Sequence, residues 1–431
     1  MAIEIRPVNR AEAVDYLRVL PFANGLPSWE PAPAAWHGSA GAWPRPNAPA
    51  TTRELEAYAD EVVSEGFRSQ AAFVDGKIVG GSALLSLQLT VPGLRQMPMG
   101  GVTSTGVIAT HRRRGLLRAM MAAMFADARD HGEFVVGLSA SEGGIYGRFG
   151  FSPATLRARW ELERAQAEFL DASPPEGTLD LVGAESARAA WPVLHQEARR
   201  NRVGEISAQS DRWAGLNDDP NGTEGPLRFV VHRDVDGIID GIANYRLPWS
   251  ADESMVGTLV VEAFEATSAA AYSALWRLLS DFDLTRRVVA AGRPFDEPLR
   301  WMLRNPRALR VTRSSDNLWV RVLNVAAALQ ARAYGADGAL TLAIAADAMC
   351  PENTGVWRLE ASDGRGVCTR ADLADPDISM DINALGSLYL GGASPGTLAA
   401  AGRIAQHQAG AVATMAKLFR SDPAPFNSIG F

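Results

Sequence analysis

The stretch "HRRRGLLRAMMAAMF", His111 to Phe125, sets three consecutive arginines and a glycine directly before an apolar repeat. An alternating segment from about Gln96 to Ala109 precedes it and reads as a strand. After it, Leu116, Leu117, Met120, Met121, Met124 and Phe125 recur every three or four residues, as a helix with one buried face requires. A strand that turns into a helix presents unsatisfied backbone N–H groups and the positive end of the helix dipole to whatever lies in front of it. Gly115 lets the backbone approach oxygen atoms that a β-carbon would hold off, and Arg113, Arg114 and Arg118 supply countercharge. Nucleic acid, a membrane surface and a small phosphorylated cofactor are all admissible ligands, and an arginine triplet that merely solvates a turn is the plain alternative. The strand-turn-helix setting favours a diphosphate.

Composition and motif content narrow the choice. A formal net charge of −7 over 431 residues argues against a general nucleic-acid binder and favours cationic ligands. Cys350 and Cys368 are the only cysteines and no histidine lies between them, so neither a disulfide framework nor zinc spacing is present, and a reduced cytoplasm fits. Lys77 precedes Ile78, which rules out a P-loop; "GGIYGRFG" lacks the spacing of a dinucleotide fingerprint; no HExxH occurs. "GLSAS" lacks the second glycine of a nucleophile elbow, so Ser139 and Ser141 are poor nucleophiles, and the six histidines are scattered. "MAIEIRPVNRAEAV" has no apolar signal core, and no apolar run approaches the roughly 18 residues that span a bilayer. The expectation is a cytoplasmic protein with no membrane span, export without a signal peptide being the variant of that reading.

The elements around the motif form an α/β unit. "AIEIRPV" alternates as a strand, and a helix follows behind Asn9, a candidate cap. Residues 24–51 turn rich in Pro, Gly, Ala and Trp, which reads as a long loop with an aromatic and acidic lip (Trp29, Glu30, Trp36, Trp43). A helix from about Thr52 to Glu65, a hairpin of long strands about Gly76-Lys77, the motif, a buried strand "EFVVGLSA", a glycine-broken turn "SEGGIYGRFGF" and a strand "RARWELE" give the order β-α-α-β-β-β-α-β-α-β. The expected domains are 1–163, 164–303 and 304–431. The second repeats the element order of the first, but "VVEAFEATSAAAYSAL" stands where the first has "VIATHRRRGLLRAM", so its loop is lost. The third alternates strands and helices differently and ends in "PAPFNSIGF".

These residues carry a resemblance. "GVIATHRRRGLLRAM" resembles the acetyl-CoA pyrophosphate motif of the GNAT superfamily of N-acetyltransferases, a variant of its RxxGxG/A signature. With "SASEGGIYGRFGFSPAT" and the terminal Phe431, the chain resembles the enhanced intracellular survival (Eis) family. That resemblance implies tandem acetyltransferase domains, the second degenerate, followed by a sterol-carrier-protein-like α/β domain. It implies a homohexamer, a dimer of trimers, and acetylation of amines of aminoglycosides and lysine side chains, with acetyl-CoA as cosubstrate and no metal. Leu117, where the superfamily usually has a small residue, and Gly430, where some family members are acidic, depart from the pattern.

Acetyl transfer to an amine needs a neutral amine, an oriented thioester, an oxyanion site and a proton for the leaving thiolate. Carried over by resemblance, the backbone of Thr105, Gly106 and Val107 binds the pantetheine amides and stabilises the oxyanion. Residues Arg113, Arg114, Gly115, Leu116, Leu117 and Arg118 cradle the pyrophosphate, and Ser141 and Glu142 contact the cofactor. Tyr146 is the general acid, with a packing aromatic as its structural alternative. The base is the Phe431 carboxylate, with relay through water because its pKa of about 3.5 makes it weak; the alternative is a frayed tail. With both cysteines outside the first domain, transfer is direct, through a ternary complex. The rival reading is a non-catalytic scaffold that binds a lipid or partner through the third domain.

Overall fold

Reciprocal capping opens the chain. In the computed structural model, which describes residues 2–23, 52–208, 226–247 and 257–431, the Asn9 side chain accepts from the Glu12 N–H at 3.1 Å while the Glu12 carboxylate accepts from the Asn9 N–H at 3.2 Å. The helix that follows, Ala13–Ala23, buries Tyr16, Leu17 and Leu20. Its close seating on the sheet depends on Gly81, where a β-carbon would stand 2.5 Å from the Tyr16 ring and 2.7 Å from Leu20. The aromatic and acidic lip expected at Trp29, Glu30, Trp36 and Trp43 lies outside the described residues.

The strands of the first unit are β1 (Ile3–Arg6), β2 (Phe67–Val74), β3 (Lys77–Val91), β4 (Arg95–Val107), β5 (Val135–Ser139), β6 (Ser152–Pro153) and β7 (Leu156–Glu163). The β2–β3 hairpin turns on Asp75 and Gly76, both at positive φ (48° and 79°), and Lys77 opens the next strand instead of sitting in the turn. The helix after the arginine motif spans Leu116–Asp130 and buries Leu116, Met120, Met121, Met124, Phe125 and Ala128, with Leu117 half-buried at its edge. Each large side chain so buried contributes about 1.5–3 kcal/mol, so packing rather than propensity holds this helix.

The sheets exchange a strand. β7 pairs with neither β6 nor β5; it lies between β12 (Thr285–Arg293) and β13 (Leu309–Asp316) in a second seven-stranded sheet, and Ala158, Trp160 and Leu162 enter that sheet's core. In return β14 (Leu318–Val322) fills the first sheet between β5 and β6, from Leu318 opposite Ser139 to Val322 opposite Val135. The expected boundaries after residues 163 and 303 follow the chain, whereas the sheets close across it. Sequence alternation marks a strand without naming its partner, so this exchange has no local signature.

The second sheet also holds β8 (Thr178–Val182), β9 (Arg228–Arg233), β10 (Ile239–Arg246) and β11 (Gly257–Ala266). Helices Ala184–Arg200 and Ala269–Ser280 cover its two faces, feeding separate clusters around Trp191 and Trp276. The third unit is a five-stranded sheet with helices Val325–Ala331, Ile382–Leu388, Pro395–Ala400 and Ala411–Phe419. Its core is continuous with that under β14. Arg321 of β14, 0% exposed, pairs with Asp347 of the third unit at 2.6 Å, so the two units share a buried ion pair. No helix among the described residues is long and apolar enough to cross a membrane.

Candidate active site

β4 and β5 run parallel and pair only at Gly100–Val136 and Gly101–Gly137. Beyond that point β4 continues to Val107 hydrogen-bonded to β3 alone, so the edge it turns toward β5 is open backbone. The register with β3 slips between Gly81 and Ala83, and Ser104 has φ 51°, which marks a bulge that bends β4 away. Thr105 is held in the bend by its hydroxyl, 2.6 Å from Ser82 Oγ and donating to Thr103 O at 3.1 Å. Thr105, Gly106 and Val107 lie past the bend, in the stretch of β4 that borders β3 on one edge and has no strand paired on its other.

Beyond β4 the chain passes through the arginine turn into the helix. Gly115 takes φ 81° as the residue before the first helical turn, and no side chain caps that turn. Nothing crowds a β-carbon there, so the glycine is needed for its backbone conformation and not for space. Arg113 has φ 62°, a conformation that costs a non-glycine residue about 1–2 kcal/mol. Arg112 Nε donates to Val107 O at 3.0 Å and Arg114 to Thr110 O at 3.2 Å, which fold the loop back on the strand end. Arg113, Arg114, Gly115 and Arg118 are exposed, and Arg118 reaches Ala348 O of the third unit at 3.3 Å. Uncapped N–H groups, a dipole end and adjacent guanidinium groups are the donors that an anion bound at this turn would need.

On the opposite side, β5 ends at Ser139 and the exposed Ser141 and Glu142 lead into a one-turn helix, Gly143–Tyr146. Tyr146 is 8% exposed, and its ring meets Phe151 edge-on at 6.2 Å. Burial, aided by the Glu142 carboxylate, pushes its phenol pKa up, so the group is protonated at neutral pH.

The C-terminus arrives where β4 parts from β5. Phe431 packs on the Gly101 backbone, where a β-carbon would stand 2.8 Å from ring atom Cε2. The tail is pinned at several points. Asn427 Oδ1 accepts from Thr155 Oγ1 (2.7 Å) and Asn317 Nδ2 (2.8 Å), and Asn427 Nδ2 donates to Ile429 O (2.8 Å). The Ser428 N–H donates to the fully buried Glu205 carboxylate at 2.9 Å, and Phe426 N–H donates to Val203 O at 2.9 Å. A tail so bonded is not frayed. Sequence reading missed Gly101, Asn317, Asn427 and Glu205, since their partners lie more than one hundred positions away; the polar pair Asn427-Ser428 within the otherwise apolar "PAPFNSIGF" is the one available hint.

Both cysteines are free and buried, their thiol pKa values pushed up by burial to about 11 for Cys350 and about 12 for Cys368, which keeps them protonated at neutral pH. Among the described residues His195, Glu205 and Glu265 bring potential metal-ligand atoms within 4.8 Å of one another. Arg202 already spans the two carboxylates, at 3.2 and 2.9 Å, and His195 Nε2 donates to Ile206 O at 2.8 Å, so these groups are taken by protein partners.

Two parallel strands that part after two paired positions, with an uncapped arginine-glycine turn leading into the next helix, are the local geometry of this unit. Acetyltransferase (GNAT) domain models match residues 33–154 and 204–322, and a sterol carrier protein domain model matches 325–428. The N-acetyltransferase Eis of Mycobacterium tuberculosis is 36% identical over 80% of this chain and 84% of that protein. An uncharacterized N-acetyltransferase of Streptomyces coelicolor is 37% identical over 82% of this chain and 86% of its own length. The crystal structure of Eis1 from Mycobacterium abscessus superposes with a TM-score of 0.83 at 30% identity, covering 99% of this chain and 100% of that one. The chain belongs to the Eis family of N-acetyltransferases. Its architecture is tandem GNAT domains followed by a sterol-carrier-like domain, and GNAT enzymes draw their acetyl group from acetyl-CoA.

Proposed function

We propose that this enzyme transfers acetyl from acetyl-CoA to primary amines of aminoglycoside-like polycations or lysine side chains, directly within a ternary complex. The observation that supports the reading is the seating of the Phe431 ring against Gly101, the last residue of β4 paired to β5.

The uncapped turn with Arg113, Arg114, Gly115, Leu116, Leu117 and Arg118 receives the diphosphate, and Ser141 and Glu142 flank the cofactor arm. The open edge at Thr105, Gly106 and Val107 pairs with the pantetheine amides as a strand would, and a backbone N–H there stabilises the oxyanion. The Phe431 carboxylate attracts an ammonium group and accepts its proton through water. The amine nitrogen then bonds to the acyl carbon, the carbon–sulfur bond breaks, the Tyr146 hydroxyl donates a proton to the departing thiolate, and the proton that the nitrogen loses in becoming an amide returns through water to the phenolate. A phenol is a weaker acid than a thiol, so the strengthening hydrogen bond as charge builds on sulfur supplies the assistance. The net charge of −7 favours polycationic acceptors. A homohexamer and a cytoplasmic setting belong to the same reading. A panel of polyamines, aminoglycosides and lysine peptides, assayed by thiol release from acetyl-CoA, tests it: turnover with polycations is expected, and no thiol release with any amine would overturn it.

A further inference from the structure

One short helix of the sterol-carrier-like domain, Ile382–Leu388, packs against the segment that follows Tyr146. Asp381 fixes its start, accepting from the Ala384 N–H at 2.8 Å while pairing with Arg403 at 2.7 Å. From the first turn, Asn383 Nδ2 donates to Gly147 O at 2.7 Å and to Phe151 O at 2.8 Å. One turn on, Ser387 Oγ lies 2.7 Å from Ser152 Oγ. Between them Gly386 rests on β14, where a β-carbon would stand 2.6 Å from Val320 O. Positions i, i+3 and i+4 share a helix face, so Asn383, Gly386 and Ser387 present one surface to residues 147–152 and β14.

The gripped segment begins one residue after Tyr146. Gly147 O also accepts from the Gly150 N–H at 3.0 Å, and Tyr146 O accepts from the Phe151 N–H at 3.4 Å, a long bond. Gly147 and Gly150 (φ 90°) give the turn more backbone freedom than any other residue type would. A single amide that bonds both Gly147 O and Phe151 O fixes the distance across the turn. Phe151 in turn supplies the ring against which Tyr146 packs.

We propose that Asn383 is a positioning residue: the third domain aims the Tyr146 phenol by clamping the Gly147–Phe151 turn. The proposal rests on the reading of Tyr146 as the proton donor. It assigns the third domain a part in catalysis through Tyr146 as well as through the tail.

A double-mutant cycle tests it, with kcat and the KM for acetyl-CoA measured for Asn383→Ala, Tyr146→Phe and the pair. Asn383→Ala should lower kcat by about tenfold while leaving KM for acetyl-CoA within about twofold, and should do no further harm to kcat in the Tyr146→Phe background. Equal losses in both backgrounds, or a single variant with the parent kcat, would overturn the clamp while leaving the acid role of Tyr146 intact. A Tyr146→Phe enzyme with the parent kcat would remove both. Should Asn383→Ala not fold, Asn383→Asp keeps the side-chain volume, removes both donor hydrogens and is held to the same outcomes.

Discussion

The ring of Phe431 lies against Gly101 so closely that a β-carbon there would stand 2.8 Å from ring atom Cε2, and any larger residue at position 101 requires the ring or Leu87 to shift. Gly101 is also the last residue of β4 paired to β5, so one glycine both ends the strand pairing and receives the C-terminus. Gly101→Ala should displace the tail and crowd Leu87, whose Cδ1 would be 2.6 Å away. Overpacking of this kind costs about 1–3 kcal/mol. The expected outcome is a lower melting temperature with faster carboxypeptidase trimming; an alanine variant with parental trimming would show that the tail has another seat.

Tyr146→Phe keeps the edge-on contact with Phe151 and removes only the hydroxyl. Turnover should fall at least about tenfold with acetyl-CoA affinity unchanged. Because burial and Glu142 raise its pKa above the ordinary value of 10, the wild-type phenol stays protonated throughout the neutral range. Stability from keeping this phenol neutral is complete below about pH 10 and is lost as pH rises through its raised folded value. A rate profile in which the Tyr146 hydroxyl is lost below pH 9 would contradict the assignment.

The arginine turn should act on cofactor binding alone. Gly115→Ala forces a β-carbon into φ 81°, at a cost of about 1 kcal/mol or more, and Arg113→Ala removes charge from an exposed position. Both should weaken acetyl-CoA binding, read by titration calorimetry, and the Arg113 effect should shrink at high salt. Unchanged affinity in both variants would place the diphosphate elsewhere.

Asp347 neutralises the Arg321 guanidinium, which is 0% exposed and also donates to Val322 O at 2.7 Å. Asp347→Ala would leave that cation buried without its partner. Breaking a buried pair from one side costs about 3–5 kcal/mol. Denaturant unfolding should register a loss of that order, and a loss below 1 kcal/mol would mean that water reaches Arg321.

Local features were legible in the sequence and pairings across the chain were not. The helix from Leu116, the glycine before it and the hairpin of long strands rest on periodicity and turn chemistry within a dozen residues, and each is present, with the hairpin turn one residue earlier, at Asp75 and Gly76. Strand β7 reads as the end of the first unit because "RARWELE" alternates, yet its partners sit about 130 and 150 residues downstream in β12 and β13. The tail anchors fail for the same reason: Asn427 gains meaning only beside Thr155 and Asn317. Asn383 carries no motif at all, and its role is visible only once its amide is seen to span the turn after Tyr146.

The central claim is that the last carboxylate of the chain is the proton acceptor for the incoming amine. The most direct measurement is kcat for amine acetylation by a variant extended by one glycine after Phe431, which keeps the ring and moves the charge. The account predicts a loss of at least about tenfold, with acetyl-CoA affinity and melting temperature unchanged. Full turnover in the extended chain would contradict it.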